Sequence, residues 1–407
     1  MGTRGDMQPY VALGKGLQAR GHEVLLAGPD NFSSWVEGHG LLFHALGVDM
    51  EAFIQSPEVR RAMSGRWLEL AKIWNRTILP LMRAMLTATW EAGRKADVLI
   101  FHPKVSGAVD VAEATGATAI CASPIPLFPT GDFPLVVSTR NYGRWINRAT
   151  YIAFTLARAP YLRMFNRWRA ETLGLGRGPV FTPMGGGVRT RLCAVSPSVI
   201  PRPADWGEGE HMTGYWFLED DSDWRPDPSL AEFLEAGEPP VYIGFGSMTY
   251  KDPRALAREI VEGVRQAGVR AIVATGWGGL EEIDVPDSIL QIEGAPHGWL
   301  FPRVSAVVHH GGAGTTAAGL RAGRPTLVCP LTVDQPFWAN RVWTQGCGPK
   351  PRPLRRLSAD DFALGLKDLV GNPSYRARAG EIAAGINGED GVARAVEIIE
   401  AAYSRSR

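Results

Sequence analysis

The sequence predicts an α/β protein of two domains, each a parallel sheet wrapped by helices. Three observations carry this. The chain has 407 residues, too many for one ordinary core, so two domains of roughly 200 residues each are expected. Short apolar runs alternate with helix-length amphipathic runs in both halves, the pattern of βαβ units. With 45% hydrophobic and 21% charged residues, the composition is that of a packed globular chain.

The first half reads in order as follows. "QPYVALGKGLQARG" is an amphipathic helix closed by Gly21. "HEVLLAG" and "LLFHAL" are strands. Residues 58–95 form a long helix, because Trp67, Ala71, Trp74, Ile78, Leu81 and Met85 recur at steps of three and four. Pro80 should kink or break it. "ADVLIFHP" is a strand, "GAVDVAEATG" a helix and "ATAICAS" the next strand. Residues 124–185 are less regular, and end in an aromatic, basic helical run. "CAVSPSVIP" closes the domain as a strand. The opening "MGTRGD" has the look of a turn after a buried strand, yet no strand precedes it. The expectation is a start codon placed late or a first domain that lacks its first strand.

The second half gives strand "PPVYIGFGS", helix 253–267, strands "RAIVATG", "SILQIEG" and "VSAVVHH", helix 313–323, strand "PTLVCP" and helix 335–345. Helices at 358–371 and about 389–403 finish the chain. The expected division is residues 1–200 for the first domain, 201–228 (rich in Pro, Gly, Asp and Trp) for a linker, and 229–388 for the second domain. Residues 389–407 are expected to pack back toward the first domain.

Bulk properties exclude several classes. A net charge of +1, from 43 basic and 42 acidic residues, makes no electrostatic case for nucleic acid or for a strongly anionic membrane. Cys121, Cys193, Cys329 and Cys347 form no CxxC pair, so neither a zinc cluster nor a disulfide framework is expected, and a reducing, cytoplasmic setting fits. There is no apolar run of about 18 residues and no secretory leader. Asp221 and Asp223 in "EDDSD" read as a solvated turn rather than a metal site.

The stretch "SAVVHHGGAGTTAAGLRAG", residues 305–323, is the most informative. A buried strand runs into two histidines and then three glycines among four residues, at the mouth of a helix. Gly311, Gly312 and Gly314 let backbone N–H groups approach an anion, and helix N-termini at the ends of parallel strands bind phosphate. Thr315 adds a hydroxyl and His310 a ring N–H. A plain tight turn with packed histidines is the alternative. The spacing is not GxGxxG and lacks the lysine of a P-loop, which argues against NAD and against ATP hydrolysis.

"HHGGAGTTAAGLRAGRPTLVCPLTVDQPFWANRV" resembles the donor-binding segment of the UDP-glycosyltransferase superfamily. The likeness is greatest to the branch of sterol glucosyltransferases and bacterial natural-product glycosyltransferases. "GTRGDMQPYVALG", "PTGDFP", "GFGSM" and "GWGG" match the same branch in the same order, across nearly the whole chain. The resemblance implies the glycosyltransferase-B fold, two facing doubly wound domains with a cleft between them. It implies an acceptor bound by the first domain, a nucleotide-sugar bound by the second, inversion at the anomeric carbon, and no metal or other cofactor. UDP-glucose is the first donor to consider and a dTDP-sugar the second.

Carried over residue by residue, His310, Gly312, Ala313, Gly314 and Thr315 would hold the donor diphosphate, with Ser247 a further phosphate contact or simply a turn serine. Asp334 and Gln335 would bond sugar hydroxyls, while Asp334 also suits a helix cap. Trp277 and the backbone around Pro296-His297 would flank the base. Ala318 stands where many plant relatives carry a ribose-binding glutamate. Asp6 is the candidate base for the acceptor hydroxyl, or a cap on the first helix. His102, at a strand end, would bind acceptor or serve as base instead. Phe128 and Phe133 stand for an apolar acceptor pocket in an aromatic-rich region, where core packing is the alternative reading. Arg158, Arg163, Arg167 and Arg169 lie along one run, either a solvated face or a weak contact with a membrane surface. The acceptor would be a sterol-like lipid, a polyketide or a phenol. The rival readings are a UDP-sugar epimerase of the same fold and a non-catalytic nucleotide-sugar or lipid-binding protein. The oligomeric state is not legible.

Overall fold

The computed structural model describes residues 4–49, 52, 77–105, 107–152, 156, 159–178, 187–219, 224–246, 252–275 and 284–407. Ser247, Trp277, Trp67, Trp74, Arg158, Asp221 and Asp223 therefore lie outside the described residues.

The first domain begins with helix α1 (Arg4–Ala19), followed by β1 (Leu25–Gly28), α2 (Ser33–Gly38), β2 (Leu42–Ala45), α3 (Leu79–Gly93), β3 (Val98–Phe101), α4 (Ala108–Thr115) and β4 (Thr118–Ser123). Then come α5 (Arg144–Thr150), α6 (Leu162–Thr172), β5 (Thr190–Cys193) and β6 (Glu210–Met212). Strands β3, β4, β5 and β6 pair in that order, all parallel. β1 and β2 pair with each other in a separate parallel ribbon.

Three details bear on the sequence expectations. The "RGD" at the start is helical rather than a turn, and it places Asp6 in the first turn of α1, where the helix dipole favours a carboxylate. Of the helix expected over 58–95, residues 77–78 are π-helical and the α-helix begins only at Leu79, next to Pro80, while residues 58–76 lie outside the described residues. Pro80 sits in the first turn of α3, where a missing N–H costs nothing. The stretch read as a linker holds β6, the outer strand of the first sheet, and its end starts α7 (Pro228–Glu235).

The second domain continues with β7 (Val241–Gly244), α8 (Pro253–Ala267), β8 (Ala271–Ala274), β9 (Ile289–Ile292), α9 (His297–Leu300), β10 (Ala306–His309), α10 (Ala313–Arg321), β11 (Thr326–Val328) and α11 (Gln335–Thr344). Helices α12 (Ala359–Gly371), α13 (Pro373–Asn387) and α14 (Gly391–Ser404) end the chain. The sheet order is β11-β10-β7-β8-β9, all parallel. Every residue of β7, β8, β10 and β11 is buried. Helices cover both faces, which is why these strands read as unbroken apolar runs. The order reverses between β7 and β10, the point where a doubly wound sheet opens a crevice at its carboxyl edge.

An apolar core joins the domains. It contains Phe128, Phe133 and Tyr151 from the first domain and Phe337, Trp338 and Val342 of α11 from the second. The last helix returns to the first domain. Ala395, Val396 and Ile399 of α14 pack with Ala12, Leu13 and Leu17 of α1, and Glu400 meets Arg20 at 2.9 Å and His22 at 3.0 Å. The chain thus passes between domains twice, after β6 and before α14. The two passages touch: a Cβ on Gly214 would lie 2.8 Å from Glu389 Oε2, and one on Gly391 would collide with the Tyr215 carbonyl. Among the described residues no helix is long and apolar enough to cross a membrane.

Candidate functional site

The crevice at the sheet reversal is built from two strand ends. β10 runs out at His309, and Gly311 turns the chain with φ 94°. A side chain there would press on Val328 and the Gln335 backbone. Gly312 then caps α10 with extended geometry, and no side chain caps the helix. The first N–H groups of α10 have no partner from the helix itself, so they suit an anion. The Thr316 hydroxyl is turned inward and donates to the Gly312 carbonyl at 2.9 Å. This leaves Thr315, half-buried, as the hydroxyl at the helix mouth.

His310 is wedged between the strand ends. Cβ atoms on Gly246 and Gly312 would lie 3.2 Å and 2.7 Å from its ring, so both glycines are needed to seat it. Burial lowers its pKa to about 4, which keeps the ring neutral with one donor and one acceptor. Its Nδ1 is buried with no hydrogen-bond partner among the described residues. His309 differs: its Nδ1 accepts the Gly311 N–H at 2.8 Å, a bond that closes the turn.

His297 opens α9 and is half-buried. It stacks on Phe301 with ring centroids 4.3 Å apart. Burial first, then the neighbouring His310 and Arg4, lower its pKa to about 4. Arg4 belongs to the first domain, so the start of α1 approaches the second-domain site.

The facing wall comes from the first domain. Asp6 projects from the first turn of α1, and Lys104 Nζ stands 3.7 Å from its Oδ1. His102 lies beside them, only 5% exposed. Its Nδ1 accepts the Lys104 backbone N–H at 3.0 Å, so the neutral ring carries its proton on Nε2. Burial, then the charge of Lys104, hold its pKa well below the usual histidine range. That arrangement makes His102 a donor and takes away the lone pair a base would use.

Asp334 reaches in from the second domain. Burial raises its pKa, the Trp338 indole N–H at 3.0 Å lowers it, Lys104 lowers it further and the charge of Asp6 raises it. Asp6, Lys104 and Asp334 therefore sense one another across the cleft. The cap reading for Asp334 does not hold, because its side chain caps nothing at the start of α11. Val333 before it has φ 57°, the one non-glycine residue with positive φ among those described, and such backbone gathers at functional sites. Gln335 is partly committed: its Oε1 accepts the N–H groups of Leu331 at 2.8 Å and Thr332 at 3.1 Å, fixing the loop.

The acceptor expectation needs correction. Phe128 is 1% exposed and packs against Trp206. Phe133 is buried against Phe337, with ring centroids 5.8 Å apart. Both rings fill the apolar joint between the domains rather than line an open pocket. Lys104 is the residue that sequence reasoning passed over. Its signal was its place in "IFHPK", two residues past His102 at a strand end. Among the described residues no three His, Cys, Asp or Glu side chains gather as a metal site.

Comparisons with known proteins bear on this geometry. Residues 1–133 match the glycosyltransferase family 28 N-terminal domain. Residues 270–401 match the C-terminal domain of erythromycin biosynthesis protein CIII-like proteins. A sterol 3-beta-glucosyltransferase of Arabidopsis thaliana is 36% identical over 98% of this chain and 66% of its own length. One from Yarrowia lipolytica is 37% identical over 100% of this chain and 29% of its own. The chain thus spans between about a quarter and two thirds of the curated relatives it matches. Among solved structures, the kitacinnamycin glycotransferase superposes with a TM-score of 0.72 at 18% identity, covering 98% of this chain and 96% of the other. The glycosyltransferase VinC, solved with dTDP, gives 0.68 at 19% identity, covering 99% and 98%.

Proposed function

The chain belongs to the UDP-glycosyltransferase superfamily and has its glycosyltransferase-B fold, and from that premise we propose that it transfers a hexose from UDP-glucose to the hydroxyl of a sterol-like acceptor. The observation that carries the reading is the opposition of two walls. Asp6, with Lys104, faces a glycine-rich, uncapped helix mouth across a cleft that Asp334 enters.

Each part has a role. Asp6 takes the proton of the acceptor hydroxyl as its oxygen bonds the anomeric carbon. The bond from that carbon to the diphosphate breaks, and the configuration inverts. The leaving UDP gains negative charge, which the N–H groups of Ala313, Gly314 and Thr315 and the neutral His310 ring stabilise. Lys104 keeps Asp6 and Asp334 compatible as neighbouring carboxylates. Asp334 bonds sugar hydroxyls, and Gln335 holds the loop that presents it. The sterol 3-beta-glucosyltransferase relatives favour a sterol hydroxyl over the polyketide and phenol alternatives.

Calorimetric titration of UDP and of dTDP, with EDTA present, is the first test. Tighter binding of UDP supports the donor assignment, and tighter binding of dTDP moves it to a dTDP-sugar. Incubation with UDP-glucose and a sterol then tests transfer. Epimer formation without UDP release would replace the transferase by the epimerase. Binding of neither nucleotide would leave a protein without a working donor site.

A further inference from the structure

Half of the large apolar side chains that are exposed among the described residues fall in one short stretch, Val137 to Leu156. Scattered exposed apolar residues need no explanation, but a cluster marks an interaction surface. Trp145 is 84% exposed, Ile146 58%, Val137 57% and Ile152 54%. Trp145, Ile146 and Ala149 of α5 are exposed, as is Ile152 just past its end.

In α5 the polar Asn147 is turned inside, while Trp145 and Ile146 stand outside beside the exposed Arg144 and Arg148. Asn147 is fully buried, donating to the Gly131 carbonyl and to Asn141 Oδ1, both at 2.8 Å, and accepting the Tyr142 N–H at 3.0 Å. Tyr151 is buried beside it in the joint between the domains. The apolar face is thus held outward by a rooted segment, and its position is fixed next to α11 and the cleft.

Charge names the partner. From residue 133 to residue 170 the chain carries seven arginines and no aspartate, glutamate or lysine; Arg148 pairs with Asp205, Arg167 with Glu171, and the buried Arg169 with Asp110 and Glu113, so the charge at the apolar cluster itself is that of Arg140 and Arg144. Arg140 and Arg144 are exposed within the apolar cluster, and Arg140 lies over the Tyr142 ring at 5.8 Å. Exposed tryptophan, tyrosine and branched aliphatics ringed by arginine suit the headgroup zone of an anionic bilayer. A second copy of the chain suits it poorly, since symmetric pairing would set the same arginines against each other.

We propose that the face formed by Val137, Tyr142, Trp145, Ile146 and Ile152 docks the protein onto an anionic lipid bilayer, with Trp145 and Ile146 entering the headgroup region and Arg140 and Arg144 meeting lipid phosphates. Bilayer binding itself requires no transfer chemistry. Its use, to admit a lipid acceptor at the cleft, rests on the transferase reading.

The test is flotation of the full chain with phosphatidylcholine vesicles, alone and with about one third phosphatidylserine. The wild-type chain should float with the anionic vesicles and stay behind with the neutral ones. The exposed pair Trp145→Ser/Ile146→Ser should weaken binding at least about tenfold with an unchanged circular dichroism spectrum. Arg140→Glu should weaken it roughly fivefold or more. No flotation of the wild type, or flotation that the Trp145→Ser/Ile146→Ser pair leaves intact, would overturn the proposal. So would a wild-type dimer in sedimentation that this pair dissolves without any vesicle binding, since the face would then be a protein interface. Vesicle binding together with failure of UDP binding would keep this inference and sink the transferase.

Discussion

Gly314 is the position at which a structural glycine and one kept for the proposed donor can be told apart. It lies in the first turn of α10 and is exposed, and a Cβ placed on it meets no described atom within 4 Å. Its φ is not in the left-handed range, unlike that of Gly311. The protein itself therefore gives no reason for a glycine here. Replacing it with alanine should stabilise the fold by about 0.5–1 kcal/mol, the difference in helix propensity. The donor should respond in the opposite way. A methyl group at this mouth stands where a phosphate oxygen approaches the N–H groups, and losing one charge-assisted hydrogen bond costs about 1.5–3 kcal/mol. That is roughly a 10- to 100-fold rise in Kd for UDP. Urea denaturation measures the first effect and calorimetry the second, on the same Gly314→Ala protein. A raised denaturation midpoint with unchanged UDP affinity would refute the reasoning, and the diphosphate would have to bind elsewhere. A lowered midpoint would mean that the open space is filled by the chain.

Three other outcomes follow from the same site. Asp6→Asn should lower kcat by about 100- to 10,000-fold, the usual worth of a general base, while UDP affinity stays the same; unchanged turnover would remove Asp6 as base. Lys104→Met removes a charge that lowers the pKa of Asp334, so on acidification the KM for UDP-glucose should begin to rise at a higher pH, and Lys104→Arg should restore it. His310 is held neutral by burial with a pKa of about 4, against about 6.5 in the unfolded chain. The unfolded state takes up the proton first, so this contribution is complete above about pH 6.5 and is lost as pH falls toward 4, on the order of 3 kcal/mol in all. Urea midpoints across that range should fall less steeply for His310→Gln, and identical slopes would show that the ring is not a buried neutral group.

How far the fold could be read depended on burial. Strands such as "AVVH" and "VYIG" are buried on both faces and stand out as apolar runs. The strand "EHM" is half-exposed and polar, and nothing in its pattern marks it. Helix α13 was missed for a related reason. Its buried face is Ala379, Ile382, Ala383 and Ile386, two of them alanines, among arginines and glycines. At the site, the glycine-rich mouth of α10 was legible because its residues are contiguous in sequence. The Asp6–Lys104 pair was not, since a parallel sheet brings together segments far apart in the chain. Phe128 and Phe133 show the remaining ambiguity: composition cannot tell a ring that lines a pocket from one that seals a joint.

The two passages between the domains restrict how the cleft can move. Because they touch at Gly214 and Gly391, they act like the two leaves of a single door hinge. Bending about the line they define leaves that contact in place, whereas twisting or sliding one domain on the other would tear it. A rotation about that line is the relative motion the two passages oppose least, and the apolar joint of Phe133 and Phe337 lies beside it as the contact such a rotation would strain.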